Sequence, residues 1–551
     1  MSSVPNVRRW VNEDTPLGPN KSDDLEPEVF ELLHDDLNDM RVEAGRHRSS
    51  LVIGRKGSGK TSFLLLTRLD DDALAVRLQA HEMYSHVNLA ITSLDQHFDH
   101  LLTDHVAEVW RAALQAVTVV TLAADWDRND FAADADDLDC IWEFATAMCG
   151  PPDDVRQDGT VWPAPEQVIA RYCSLLIAAA SRDSAIQATV TDLVDAVGPP
   201  HCSLRRAWLS ASNILSVQQR AAVVLVDSLE DMQHEVDRLE RTLRGLLQLV
   251  DVAARRNERL TLRVCFPSEL VDRLDLISAN PAKNLEDSVH IEWDARELIR
   301  VAGHRLALFL RLYFGEEYTA RNLPTQVTEY VVARRLLDPI FPKRVRNQRN
   351  VEEDTYAYIL RHTQLLPRHL VTILNEILQQ NSKENLDHPW VISPDAVRVG
   401  VERAESKIIR DIITSFRGVY PAAKQLCEAA IPSLPFSFDE GLFHEWYQRS
   451  GIRARFLLEY WEYSRVLFNI GALGVVTKET DLYVHGDFNY TQTAPLQVNP
   501  DAKLCLHPLF ARHFRSTDIV NRDQGAKVVY PAGVEPDRSH EDESSRGHSG
   551  R

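Results

Sequence analysis

The sequence predicts an α/β protein with a five-stranded parallel sheet, to which helical segments and a C-terminal module are added. Three observations predict this class. A strand, a glycine-rich loop and an apolar helix follow one another from Leu51 to Leu66. Four more short apolar runs alternate with helical patterns as far as Trp293, which is typical of βαβ units. Beyond Ser393, several helices precede a strand-like segment, Asp481 to Tyr490, and this order indicates a winged-helix-like module.

The length of the chain predicts several folding units. At 551 residues it exceeds the size at which single cores stop growing, about 250–300 residues. Composition shifts and turn clusters divide it into an N-terminal polar and helical segment (1–45), a core (46–293) with a helical insertion at about 90–220, a helical lid (294–392), a winged-helix-like domain (393–530) and a disordered tail (531–551).

The predicted sheet follows an amphipathic segment. Glu28 to Met40 is predicted to be helical because its apolar side chains fall on one face at helical spacing: Val29, Leu32, Leu33 and Leu37. The first strand begins at Leu51. The other four predicted strands are Leu74 to Leu78, Ala221 to Val226, Leu260 to Phe266 and Ser288 to Trp293.

Composition and charge exclude several classes of protein. Apolar residues make up 44% and charged residues 26%, so most of the chain is expected to pack. The formal net charge of -20 disfavours coating of nucleic acid, except through a local basic face such as Lys343, Arg344, Arg346 and Arg349. A solvated charge run is the alternative interpretation of those four residues.

The expected location is the cytoplasm. The N-terminus has no apolar run after its basic residues, and the most apolar stretches, Ala112 to Ala124 and Val168 to Ala180, are shorter than a membrane span of ~20 residues. We therefore expect no membrane partner. The seven cysteines are scattered singly, and in this compartment they are expected to be reduced thiols.

The strongest motif is the glycine loop that follows the first strand. Its letters fit G-x-x-x-x-G-K-[ST], a phosphate-binding loop in which backbone N–H groups and a helix N-terminus face the phosphates. Lys60 is predicted to reach the β- and γ-phosphates of ATP, and the Thr61 hydroxyl to bind Mg²⁺. The complete set of predicted nucleotide-binding residues is Gly54, Gly57, Ser58, Gly59, Lys60, Thr61 and Ser62.

A phosphate-binding loop needs an acidic partner for the metal. The apolar strand from Ala221 ends in Asp227, at the edge of an open parallel sheet where ligands collect. We predict that Asp227 is the second protein ligand of Mg²⁺. By itself, an apolar run that ends in Asp is also typical of an ordinary buried strand with a capping residue.

The residues after Asp227 bear on hydrolysis, which needs a carboxylate to orient the attacking water. Position 228 is serine, and the next acids are Glu230 and Asp231. Both are candidate catalytic bases. The alternative is that they are acidic residues that complement the dipole at the start of a helix.

Two later residues are candidate nucleotide sensors. Pro367 predicts a helix start, so Arg368 lies in its first turn, where the helix dipole opposes a cation unless an anion such as a triphosphate is bound. An ion pair with a nearby acid is the alternative for Arg368. Ser268, after the fourth strand, is either a γ-phosphate sensor or a helix N-cap.

These motifs together resemble a known group. Asp227-Ser-Leu-Glu230-Asp231 and Thr363 to Arg368 are similar to segments of bacterial STAND and AAA+-like P-loop ATPases of the ASCE class. Ile291 to Asp294 resembles their strand-to-lid transition, and Leu506-His507-Pro508 resembles their winged-helix end. The chain departs from many P-loop ATPases in having no Glu directly after Asp227.

The resemblance implies an ATP-driven molecular switch that hydrolyses ATP, in phage defence or mobile-element biology. Its expected partners are further copies of the chain or an effector protein. The alternative is an ATP-dependent DNA-binding initiator that uses the winged helix. The acidic balance of the chain disfavours DNA, as does the segment Asp481 to Tyr490, which contains no Lys or Arg.

Overall fold

The architecture is described from a computed structural model. It describes residues 6–21, 25–34, 50–68, 73–79, 81–98, 100–128, 134–149, 163–181, 189–227, 236–256, 260–273, 278, 288–347, 350–491, 496, 498–520 and 527–536. The chain divides into two compact units. The first, called here the sheet unit, comprises Asn38–Gly54 and Lys60–Ile291. The second, called the C-terminal unit, comprises Met1–Leu37, Arg55–Gly59 and Glu292–Arg551.

The sheet unit is built on five parallel strands. These are β1 (Ser50–Gly54), β2 (Ala73–Gln79), β3 (Ala221–Asp227), β4 (Leu260–Pro267) and β5 (Val289–His290). Their order across the sheet is β2-β3-β4-β1-β5, and every pairing is parallel. The predicted α/β class with a five-stranded parallel sheet is confirmed. β3 and β4 are buried over nearly their whole length, which explains their unbroken apolar runs.

The fifth strand is shorter than Ser288 to Trp293. It pairs with β1 only at Val289 and His290, and Ile291 adds one hydrogen bond to the carbonyl of Ile53. Asp294 then caps the following helix through a capping box with Glu297. The chain turns into that helix at Asp294. Its pairing with β1 therefore ends at His290, four residues before the capping residue.

Helices fill most of the sheet unit between β1 and β4. They are α3 (Lys60–Arg68), α4 (His81–Phe98), α5 (Thr103–Arg128), α6 (Ala135–Cys149), α7 (Pro165–Ala180), α8 (Val190–Ala196), α9 (Leu204–Val217) and α10 (Val236–Arg256). Within α5, the stretch Thr103–Asp125 has the length and hydropathy to cross a membrane, yet 83% of its apolar window is buried in the structure. That burial is what a core helix of a globular protein also shows.

A disulfide corrects one sequence expectation. Cys140 in α6 and Cys202, just before α9, form a disulfide with 5.6 Å between their Cα atoms. The expectation that all seven cysteines are reduced thiols is therefore wrong for this pair. The sequence separation of the two cysteines is 62, so no C-x-x-C spacing predicts the bond. The packing of α6 against α9 brings them together.

The N-terminal residues pack in the C-terminal unit. They contain α1 (Val7–Trp10) and α2 (Pro27–His34); the predicted helix from Glu28 to Met40 continues past His34 into residues outside the described ones. Val29 and Leu33 of the predicted apolar face are buried in one core with the helix that begins at Ala295, whereas Leu32 is half-buried. Leu37 lies outside the described residues.

The region that was predicted as a helical lid is mainly helical. Its helices are α11 (Ala295–Tyr313), α12 (Gly315–Ala320), α13 (Tyr330–Leu337), α14 (Thr355–Leu360) and α15 (Pro367–Glu384), with a small hairpin of β6 (Arg344–Arg346) and β7 (Glu352–Asp354) between them. In this hairpin the exposed Arg346 pairs with Glu352. Lys343 and Arg344 are also exposed, and Arg349 lies outside the described residues.

The C-terminal module combines helices with a mixed five-stranded sheet. The helices are α16 (Pro394–Ser415), α17 (Ala423–Ala430), α18 (Glu440–Ser450), α19 (Ile452–Phe456), α20 (Tyr460–Asn469), α21 (Pro508–His513) and α22 (Thr517–Val520). The strands are β8 (Ser437–Asp439), β9 (Leu473–Glu479), β10 (Tyr483–Phe488), β11 (Lys503–Leu506) and β12 (Val528–Pro531), in the order β12-β10-β9-β11-β8. β9 and β10 form an antiparallel hairpin. β12 pairs with β10 in parallel and reaches the first residue of the predicted tail, whereas 537–551 lie outside the described residues.

A buried carboxylate joins distant parts of this unit. Glu353 of β7 accepts hydrogen bonds from Arg361 at 2.7 and 2.9 Å, from Asn347 at 2.7 Å and from the Tyr530 hydroxyl at 2.7 Å. Each of its two oxygens accepts two of these four bonds. An ionised carboxylate has about four acceptor positions, so the hydrogen-bonding capacity of Glu353 is filled.

Candidate functional site

The glycine loop connects β1 to α3. β1 ends at Gly54 and α3 begins at Lys60, so five residues form the turn. Gly57 and Gly59 have φ values of +89° and +100°, a conformation that other residues rarely adopt. A Cβ on Gly57 would also lie 3.0 Å from the Cβ of Arg368. Both backbone conformation and space therefore require glycine at position 57.

The lysine of the motif is held across the loop. Lys60 is only 5% exposed, and its ammonium donates a hydrogen bond to the carbonyl of Gly54 at 2.8 Å. This bond joins the two residues that flank the loop in sequence. Inside the loop, the Ser58 N–H donates to the carbonyl of Arg55 at 3.0 Å, and the Trp293 indole donates to the carbonyl of Ser58 at 2.6 Å.

The residues after Lys60 form the first turn of α3. The first N–H groups of a helix have no partner within the helix, and they carry a partial positive charge that favours an anion. Thr61 is half-buried and Ser62 is buried in this turn. A glycine loop, a buried cation and a helix start therefore occur together over nine residues, which is the chemistry that binds phosphate groups.

Asp227 lies at the carboxyl end of β3. β4 runs between β1 and β3, so Asp227 and Gly54 end strands that are two positions apart, or about 10 Å at the usual strand spacing. The Asp227 side chain is 5% exposed and accepts a hydrogen bond from Arg77 Nη2 at 3.0 Å. This arginine belongs to β2, the next strand.

The donor set fits Mg²⁺ that is bound partly by phosphate. Mg²⁺ in nucleotide sites is usually held by one or two protein oxygens together with substrate phosphates and water. The Thr61 hydroxyl and the Asp227 carboxylate are oxygen donors of this kind. Among the residues that the structure describes, no group of three or more His, Cys, Asp or Glu side chains could hold a metal ion without such help.

The two candidate catalytic acids cannot be placed. Glu230 and Asp231 lie outside the described residues, which resume at Val236, the start of α10. Their roles stay predictions. Ser268 lies directly after β4, at the first position of a short 3₁₀ helix, and is half-buried.

Arg368 lies beside the glycine loop. It is the second residue of α15, which begins at Pro367 as the sequence predicts. Its Cβ, Cδ and Nε atoms lie 3.0, 3.1 and 3.3 Å from the position that a Cβ on Gly57 would take. The Nε group donates a long hydrogen bond of 3.4 Å to the carbonyl of Asn20.

One arginine of the loop itself, Arg55, contacts aromatic rings of the C-terminal module. The guanidinium of Arg55 lies 5.4 Å from the ring centre of Phe416 and 5.3 Å from that of Tyr490, within the range of cation–π contacts. Burial lowers the pKa of His369, and the nearby charges of Arg55 and Arg368 lower it further. The surroundings of the loop are therefore electropositive, as a polyphosphate site requires.

The winged-helix-like resemblance at Leu506-His507-Pro508 falls on a helix start. His507 caps α21 by accepting the Leu509 N–H, and its Nε2 atom lies 3.1 Å from the carbonyl of Thr363. Burial lowers the pKa of His507 to about 3, so the ring is neutral at physiological pH. The contact of His507 with Thr363 holds the backbone five residues before Arg368.

The sequence reasoning missed three arginines near these residues. Arg55 occupies a position that the motif leaves open. Arg77 and Arg263 are charged residues in the buried strands β2 and β4, and both pair in register with Leu225 of β3. Arg77 and Arg263 could have been found in the sequence as charged residues inside apolar strands, because charged residues are rarely buried without a partner.

Comparisons with known proteins give distant likenesses in fold. No family model and no curated protein matches the chain. The Walker-type ATPase PABY2304 of Pyrococcus abyssi matches with a TM-score of 0.37 and 10% identity, over 88% of this chain and 95% of that one. The Aeropyrum pernix ORC2 protein matches in ADPNP-ADP complexes with a TM-score of 0.34 and 12% identity, over 92% of this chain and 96% of that one. Its ADP form gives 0.28 and 13%, over 94% and 99%. With scores this low, the likeness does not indicate what this chain binds.

Proposed function

We propose that the chain binds ATP with Mg²⁺ at the glycine loop and acts as a nucleotide-operated switch. The observation that carries the proposal is the loop itself. Gly57 and Gly59 have positive φ values, and the buried Lys60 ammonium lies across the turn at the start of α3. The Asp227 carboxylate at the end of β3 supplies the acidic partner that such a loop needs.

Each residue has a distinct role in this proposal. The backbone of Gly57 to Lys60 wraps the β-phosphate, and the Lys60 ammonium neutralises charge on the β- and γ-oxygens. Thr61 and Asp227 would hold Mg²⁺, directly or through water, and the metal would supply neutralisation of the phosphate charge. Arg368, in contact with Gly57, is placed to respond to the nucleotide.

The switch part of the proposal is supported by contacts within the C-terminal unit. Arg55 lies against Phe416 and Tyr490, and Arg368 lies against Gly57. The segment before Arg368 is bound to the C-terminal module, because Gln364 donates to the carbonyl of Ile470 at 2.9 Å and His507 contacts Thr363. We therefore expect a conformational change of the loop to reach the C-terminal module through these contacts.

The direct test is nucleotide binding by Lys60→Ala. We expect the parent to bind Mg-ATP, and the variant to lose ~100-fold or more of that affinity because the buried cation over the loop is gone. Isothermal titration of both proteins measures the loss, and circular dichroism checks the fold. Lys56→Ala removes a second lysine of the same loop that is not among the predicted binding residues, and it is the matched control with near-parental affinity. Equal Mg-ATP affinity in parent and Lys60→Ala would place the nucleotide elsewhere.

Hydrolysis is proposed to depend on the acids after Asp227. Glu230→Gln or Asp231→Asn should keep ATP binding and lower single-turnover hydrolysis by ~100-fold, as expected when a positioned base is lost. We prefer Asp231. If both variants hydrolyse ATP at the parental rate, the acids are only a charged helix start.

A further inference from the structure

Arg77 is placed on its strand so that it meets Asp227. Along β2 the side chains alternate, with Leu74, Val76 and Leu78 fully buried and Ala73, Ala75 and Arg77 half-buried. β2 and β3 are parallel, and Gln79 pairs with Asp227 in register. Arg77 lies two residues before Gln79 and therefore on the same face of the sheet. From this diagonal position its guanidinium reaches the Asp227 carboxylate at 3.0 Å.

This ion pair places a fixed positive charge at the carboxylate that the metal would use. The two side chains are 11% and 5% exposed, so water screens their attraction only weakly. A guanidinium and a divalent cation at the same carboxylate repel each other. Arg77 and Mg²⁺ therefore compete for Asp227, and the charge of the arginine substitutes for that of the metal.

A second side chain near Asp227 has an unused hydrogen bond donor. Tyr84, in the first turn of α4, is fully buried, and its hydroxyl has no hydrogen bond partner among the residues that the structure describes. Its pKa is raised by burial and then by the charge of Asp227. Leaving a buried donor unpaired is unfavourable. The pair of Arg77 and Asp227 therefore coexists with an unsatisfied buried donor.

We propose that Arg77 is an internal counter-cation of Asp227 that Mg²⁺ must displace, so that this arginine sets the metal concentration at which the nucleotide site fills. The inference rests on the proposed function, since it assumes that Asp227 serves a nucleotide-bound metal. Arg77 is a positioning residue: it acts through Asp227 and is not required to touch the nucleotide. Its charge disfavours metal loading and stabilises the metal-free carboxylate.

The test compares nucleotide affinity with and without metal. The full chain is titrated with a non-hydrolysable ATP analogue at several Mg²⁺ concentrations and in EDTA, for the parent, Arg77→Met and Arg77→Lys. Removing the competing charge should lower the Mg²⁺ concentration for half-maximal binding about tenfold in Arg77→Met. Arg77→Lys keeps the charge and should stay close to the parent. The affinity measured in EDTA should change much less than the affinity measured in Mg²⁺.

Arg220→Met is the matched control. Arg220 precedes β3 at its opposite end and pairs with Asp125 at 2.8 Å, so its loss also breaks a half-buried ion pair of the sheet unit. We expect an unchanged Mg²⁺ requirement there. A thermal melt identifies any variant that fails to fold, and Arg77→Gln then replaces Arg77→Met.

The outcomes separate the two proposals. If the parent binds the analogue but Arg77→Met has the parental Mg²⁺ requirement, Arg77 does not compete with the metal and this inference fails alone. A higher Mg²⁺ requirement in Arg77→Met also overturns it, since the arginine would then support the metal ligand. If the parent does not bind the analogue at all, both the proposed function and this inference fail.

Discussion

Two buried carboxylates, one in each unit of the chain, illustrate how structural and functional ion pairs differ. Glu353 of the C-terminal unit accepts four hydrogen bonds, two at each oxygen, from Asn347, Arg361 and Tyr530. Asp227 of the sheet unit accepts a 3.0 Å bond from Arg77, at the edge of the sheet where ligands bind. The first carboxylate has no position left for a ligand. For the second, we propose that one cation replaces another.

Burial alone therefore does not distinguish a ligand-binding carboxylate from a structural one. Both side chains are at most 5% exposed, and both pair with arginine. What separates them is their place in the fold. Glu353 joins β7, β12 and the end of α14, whereas Asp227 lies at the carboxyl end of a strand in an open parallel sheet. The following predictions test this distinction, beginning with the largest effect.

Glu353→Gln should strongly destabilise the protein. The substitution removes the charge that Arg361 needs and turns one acceptor into a donor, which at a buried pair costs about 3–5 kcal/mol of unfolding free energy. Chemical denaturation measures the loss. Glu352→Gln, one residue earlier in the same strand, is the control, because its pair with Arg346 is exposed and contributes about 0–1 kcal/mol. Similar losses in both variants would contradict the structural role of Glu353.

Asp227→Asn should affect binding more than stability. The amide oxygen can still accept a bond from Arg77, so we expect a loss of unfolding free energy of about 1–2 kcal/mol. The Mg²⁺-dependent affinity for a non-hydrolysable ATP analogue should fall tenfold or more, because the metal loses a charged ligand. Titrations with Mg²⁺ and with EDTA, alongside denaturation curves, give both quantities. A variant as unstable as Glu353→Gln with parental nucleotide affinity would reverse the comparison.

Tyr530→Phe should have the smallest combined effect of the three, because it lowers stability alone. It removes one of the four donors to Glu353 and leaves the ring in place, which predicts a loss of about 1–2 kcal/mol in unfolding free energy. Tyr483→Phe, on the neighbouring strand, is a suitable control because the Tyr483 ring contacts that of Tyr530. If the two phenylalanine variants are equally stable, the hydroxyl of Tyr530 contributes nothing beyond packing.

Much of the sheet unit was predictable from the sequence because its signals are local. Buried parallel strands appear as continuous apolar runs, and the glycine loop has a fixed spacing before a helix. The ends of β2, β3 and β4 lie within one or two residues of the prediction. β8 and β12 were not predicted, since strands of three and four residues carry too little pattern to be distinguished from loops.

The interactions that define the two carboxylates were less predictable. The pair of Arg77 and Asp227 depends on which strands are neighbours and on their register, and neither follows from spacing along the chain. The same holds for Cys140 and Cys202, which depend on helix packing. In contrast, Arg368 was singled out by a local signal, a cation in the first turn of a helix that begins with proline.

The donors around Glu353 also constrain the order in which the protein can be completed during synthesis. Asn347 and Arg361 lie six and eight residues from Glu353, so both are available almost as soon as the carboxylate is made. Tyr530 follows 177 residues later. A ribosome that adds ~5–20 residues per second therefore needs about 10–35 s before the fourth bond can form. During that interval the carboxylate of Glu353 lacks its fourth donor, and β10, once it is made, has no β12 beside it.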